Sequence, residues 1–80
     1  MISASEAYTL AKQSSFGEEL VPKAYDLENR WCFIYEDEDL ADSWPIIVGK
    51  NNGKVSVLVF QDAFDFFRKI DSFKSVDVSE

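Results

Sequence analysis

The chain has 80 residues, 46% of them hydrophobic and 15% aromatic, and its fifteen acidic and eight basic residues give a formal net charge of −7. That length makes a single domain, 1–80, and the apolar content excludes a wholly disordered chain. The acidic balance repels phosphate and argues against nucleic-acid binding, and the absence of histidine excludes a His-containing triad, an imidazole general base and a histidine metal site.

Ser3-Ala4-Ser5-Glu6 has the spacing of a capping box, and Ile2 is placed to staple onto Ala7. Ala4, Ala7, Tyr8, Ala11 and, to one side, Leu10 recur at helical spacing, which predicts a first helix with a narrow stripe of small residues, stopped by Gly17. Pro22 biases Val21 toward extended backbone. Ala24–Leu27 reads as a short first strand at a sheet edge, with Tyr25 and Leu27 on one face. Trp31–Tyr35 is the most emphatic strand. Trp31, Phe33 and Tyr35 share one face, and Cys32 and Ile34 share the other. A single cysteine rules out an intramolecular disulfide, and Cys32 is expected to be a small buried hydrophobe.

The segment Glu36–Asp42 holds Glu36, Asp37, Glu38, Asp39 and Asp42 and no base, so it carries −5 of the net −7. Trp44-Pro45 follows, with Pro45 at a strand start because it cannot donate to a ladder. Asn52-Gly53 predicts a two-residue type I′ turn, which sets Val48 opposite Val57 and Ile46 opposite Val59. One face of that hairpin then carries Ile46, Val48, Val55, Val57 and Val59, and the other carries Ile47, Leu58 and Phe60. A second helix is expected from Asp62 as N-cap, with Ala63, Phe66, Phe67, Ile70 and Phe73 on one face and Phe64 extending it. Residues 74–80, with Val76 and Val78 alternating, fit either a short last strand or a frayed tail.

This order predicts an α+β fold of two layers: a three- or four-stranded antiparallel sheet with the N- and C-terminal helices on one face. The other face is then open, where Trp31, Phe33 or Tyr35 with Ile47 and Leu58 form an exposed aromatic patch.

No catalytic, cofactor-binding or metal-binding residues are expected. The glycines are isolated, so no loop cradles a phosphate, and the acidic block lacks the glycine that a calcium loop of EF-hand type needs at its sixth position. Its carboxylates have no walled site to separate their pKa values. The apolar runs are too short to span a membrane and the N-terminus lacks a signal-peptide pattern, so a cytoplasmic location is expected. The features left over are a charge block and aromatics. Tyr35, Glu36, Asp37, Glu38, Asp39, Asp42 and Trp44 are the candidate partner-binding residues, suited to a protein with a basic surface. The plainer readings are a solubilising loop for the block and a core-closing ring for Trp44, and Phe64 on the flank of the second helix is open to the same two readings, core or interface. A small homodimeric structural or accessory protein is an alternative, as is a small enzyme or ligand-binding domain.

The succession of SASEAYTLA, RWCFIYE, an acidic connector, PIIVGKNNGKV and DAFDFFRKI resembles the small bacterial immunity proteins of the YrhB-like, immunity protein 35 type. The matching positions are Trp31, Phe33 and Tyr35 of the aromatic strand, Pro45, Ile46 to Val48, the turn glycine Gly53, and Val55. Many members have a glycine-rich approach to the proline where this chain has Asp42-Ser43-Trp44. The resemblance implies an immunity protein that binds and neutralises a bacterial toxin. It assigns no toxin-contacting residue.

Overall fold

A computed structural model describes residues 1–15, 19–36 and 44–78. The chain runs through α1 (Ala4–Ser14), β1 (Lys23–Asp26), β2 (Arg30–Phe33), β3 (Ile46–Gly49), β4 (Val55–Val57), α2 (Gln61–Arg68), a turn of 3-10 helix (Ile70–Ser72) and β5 (Ser75–Asp77). The strands form one antiparallel sheet in the order β4-β3-β2-β1-β5. The expected α+β class and antiparallel sheet are present, and two details of the expected architecture differ.

The first difference is the strand count. Residues Ser75–Asp77 pair with β1, Ala24 facing Val76, so the sheet has five strands and β1 is interior where an edge was expected. Val78 then turns inward, is buried, and donates its N–H to the Pro22 carbonyl at 3.0 Å.

The second difference is the placement of the helices, which lie on opposite faces of the sheet in three layers. On one side, Ala4, Ala7 and Ala11 of α1 sit against Ala24, Phe33, Ile46 and Val48. On the other, Ala63 and Phe66 of α2 sit against Cys32, Ile47 and Leu58. The pleat sends Phe33 to one core and Cys32 to the other. Alanines let α1 lie close to the sheet, whereas the Phe66 ring fills a deeper layer, edge-on to Tyr25 at 5.5 Å and stacked on Phe73 at 5.5 Å. The expected open patch therefore does not form: Trp31, Phe33 and Tyr35 pack on the α1 side, and Ile47 and Leu58 lie on the opposite face under α2.

Helix α1 begins as its sequence predicts. The Ser3 hydroxyl oxygen accepts from the Glu6 N–H at 3.2 Å, and the Glu6 carboxylate accepts from the Ser3 hydroxyl at 3.3 Å. The predicted stop at Gly17 lies outside the described residues. Helix α2 begins earlier than predicted, with Phe60 in the N-cap position and no side-chain cap, which leaves Asp62 inside the first turn where its charge still favours the dipole.

The β3–β4 register is offset by two residues from the expected one. Ile46 faces Val57 and Val48 faces Val55, around a four-residue loop from Lys50 to Gly53. Only Gly53 takes a positive φ there, at 66°. Asn52 instead spends its side chain, Oδ1 accepting from the Lys54 N–H at 2.9 Å. A two-residue offset keeps every side chain on its expected face, because the strand period is two. Gly53→Val is expected to cost about 1–2 kcal/mol, since a β-branched residue is strained at that φ, lowering Tm by about 4–8 °C per kcal/mol in a domain of this size. An unchanged melting curve would contradict the turn.

Lys50 fastens the end of β3 to the end of β1. It is only 7% exposed, its Nζ lies 2.5 Å from Asp26 Oδ1 and 4.3 Å from the centre of the Trp31 ring. The Lys50 hydrogen bond holds the Asp26 carboxyl below its ordinary 3.8. The contribution of the pair is therefore complete above that value and is lost as pH falls through the lower folded value. Asp26→Asn strands a buried ammonium, and with Asp26 itself 36% exposed the cost is expected near 1–2 kcal/mol rather than that of a fully buried pair. Urea unfolding should show this difference at pH 7 and a shrinking one as pH drops below 3.8.

Candidate protein-binding surface

Helix α2, QDAFDFFR, carries two apolar stripes. Ala63, Phe66 and, beyond its end, Ile70 face the sheet. Phe60, Phe64 and Phe67 recur at i, i+4 and i+7 and occupy the next face round. They are 70%, 56% and 46% exposed. An apolar row on the outside of a small acidic protein contributes little to the fold and is the kind of surface that marks an interaction site.

Trp44 is half-buried behind this row. Its ring lies 5.7 Å from Phe60 and 6.1 Å, edge-on, from Phe64. Phe67 joins the cluster through Phe66, whose ring is 5.4 Å away. Phe60 holds φ 52° and ψ −124°, a region disfavoured for a side chain of its size. That turn reverses the chain after Leu58 has entered the core, so Leu58 is buried while Phe60 points out. Away from the row, Asp65 accepts from Gln61 Nε2 at 2.9 Å and lies 3.6 Å from Arg68, and with Asp62 it lines a shallow cleft beside Leu27 and Phe73.

The residues expected from sequence to bind a partner fall into three groups. Trp44 belongs to this surface, packed on the α2 side. Tyr35 packs on the α1 side and bridges to Leu20, so it and Trp44 stand on opposite faces of the sheet. Glu36 is exposed, its N–H donating to the Glu19 carbonyl at 3.0 Å. Asp37, Glu38, Asp39 and Asp42 lie outside the described residues. Phe60 and Phe67 were not singled out as site residues and Phe64 was left between core and interface, although their spacing was legible: three phenylalanines at i, i+4, i+7 beside a separate Ala63/Phe66/Ile70 stripe are more than one helix face can bury.

Cys32 is fully buried, and burial pushes its thiol up to about 12, so it remains an uncharged core residue at neutral pH. Among the described residues no three potential metal-ligating side chains converge, and no helix is long and apolar enough to cross a membrane.

The fold and surface together define an α+β domain whose antiparallel sheet is covered on both faces and whose second helix presents an aromatic row outward. Compared with protein-family models, curated proteins and solved structures, the chain matches none.

Proposed function

We propose that the chain is a protein-binding module that seats its partner on the outer face of α2, with Phe60, Phe64 and Phe67 as contacts and Trp44 as their backing. The observation that carries this reading is the exposure of three phenylalanines on one helix face, 46% to 70% each. Aromatic side chains supply binding energy out of proportion to their number, and these are held by a packed helix, so little order has to be imposed on binding.

The partner we propose is a protein with a basic surface. Five of the fifteen acidic residues lie between Glu36 and Asp42, shortly before Trp44 in the chain. A single-sign field beside desolvating anchors speeds encounter with an oppositely charged protein. Two copies of a chain of charge −7 repel each other, which favours a foreign partner over a homodimer. With the family resemblance, the specific reading is a cytoplasmic immunity protein, without enzymatic activity, that neutralises a basic bacterial toxin by occupying its surface.

The test is affinity capture from the source organism's extract with the native chain and with Phe64→Ser/Phe67→Ser side by side, after light scattering has read the oligomeric state of each. A partner retained by the native chain and lost by the variant is expected. A partner held equally by both would overturn the assignment of the surface, and a stable dimer of the native chain would transfer it to self-association.

A further inference from the structure

We infer that the cleft beside the β1–β2 turn is a binding site for a small oxyanion, a carboxylate or phosphate group, held by Arg30, Lys50 and Lys74. The cleft has a volume of about 660 Å3, and these three side chains line it together with Asp26, Leu27 and Phe73. Three of the eight basic residues of a chain with net charge −7 thus meet in one concavity.

Lys50 is no solvated surface lysine. Burial, the Asp26 carboxylate and the Trp31 ring fix its ammonium in place where the side chain lines the cleft. A cation positioned in advance loses little further freedom when an anion arrives. Asp26 balances that charge, and among the described residues neither Arg30 nor Lys74 has an ion pair of its own. The charge of Lys74 nevertheless reaches Asp26 in the cleft lining, since it helps hold down that carboxyl after the larger contribution of Lys50. The planar fork of Arg30 suits two oxygens of one carboxylate or phosphate, with Lys74 as a second point charge. Leu27 and Phe73 offer an apolar wall to the organic part of such a ligand.

The rim is built with strain where glycine would cost least. Glu28 holds φ 68°, and the Asn29 N–H donates across it to the Leu27 carbonyl at 2.8 Å, which is a positive-φ γ-turn. Strained non-glycine positions gather at binding sites, and this one shapes the turn that leads directly into Arg30. Counting Glu28 with Asp26 against the three cations leaves the cleft one positive charge in excess, which sets the preference for an anion.

The proposal is tested by 1H–15N titration of the native chain with sodium phosphate and, separately, with sodium benzoate, each against sodium chloride at matched ionic strength. Saturable shifts at the Arg30, Lys50 and Lys74 amides are expected. Saturation by phosphate alone assigns a phosphate ligand, and saturation by benzoate assigns a carboxylate one. Lys74→Gln, an exposed change, and Arg30→Gln should each weaken that binding about tenfold or more, as loss of a charge-assisted hydrogen bond does. If Arg30→Gln fails to fold, Lys74→Gln decides. Shifts that only track ionic strength with both anions, or saturable binding undiminished in Lys74→Gln, would overturn the site. Neither result bears on the α2 surface, whose partner is scored by other variants.

Discussion

Phe33→Ala is expected to destabilise the protein by about 3–5 kcal/mol, the range for removing a fully enclosed aromatic ring from a core. Phe33 is 0% exposed, faces Ile46 across the β2–β3 ladder, and meets the Tyr8 ring of α1 at 5.8 Å. A domain of this length has about 4–12 kcal/mol of total stability, so the substitution removes a large share of it and leaves a measurable unfolded population. Urea denaturation followed by circular dichroism reads the loss directly. The informative control is Phe67→Ala, an aromatic deletion on the outer row of α2, which should change stability by no more than about 0.5 kcal/mol. Two phenylalanines with such different costs would separate the ring that holds α1 to the sheet from the ring kept for another purpose. A loss below about 1 kcal/mol for Phe33→Ala would contradict the seating of α1 on this face.

The second large effect is on binding. Phe64→Ala should weaken association with the partner by about 2 kcal/mol, near thirtyfold in Kd, mainly through a faster off-rate. Trp44→Ala should act in the same direction, because its ring supports both Phe60 and Phe64. Changing Glu36, Asp37, Glu38 and Asp39 together to their amides should do something different, slowing the on-rate and flattening its salt dependence while leaving folding almost unchanged. Surface plasmon resonance at low and high salt separates the two classes. An unchanged on-rate and salt slope for the four-charge variant would reduce the acidic block to a solubilising segment. An unchanged off-rate for Phe64→Ala would remove the anchors.

Much of the architecture was legible in local patterns. The Ser3 cap, the alanine stripe of α1, the inward turn of Cys32 and the face assignment of Ile46, Ile47, Val48, Val55 and Leu58 all follow from spacing, because periodicity and capping act over a few residues. What the pattern misplaced depends on competition over longer range. Asn52 has two ways to satisfy a tight turn, a positive φ or a side-chain acceptor, and it takes the second, which lengthens the loop and moves the register by two without disturbing either face. The apolar character of both faces of β2 already implied cover on both sides. Assigning both helices to one side turned that signal into a supposed open patch. The tail 74–80 carries only weak alternation of its own, and it becomes a strand at Ser75–Asp77 because β1 offers an unpaired edge. For the candidate surface, Trp44 was readable, whereas its packing on the α2 side depends on how the chain enters β3 through Pro45. The row Phe60, Phe64 and Phe67 was hidden by assigning Phe67 and Phe64 to the buried face that Ala63, Phe66 and Ile70 fill.

The central claim is that the outer face of α2 is where the partner sits, and amide hydrogen exchange on the purified complex tests it most directly. Binding at this surface predicts slowed exchange across residues 60–69 and at Trp44, with the amides of α1 and β5 unchanged from the free protein. Slowed exchange confined to α1 or to the β5 edge, with residues 60–69 as in the free protein, would contradict it.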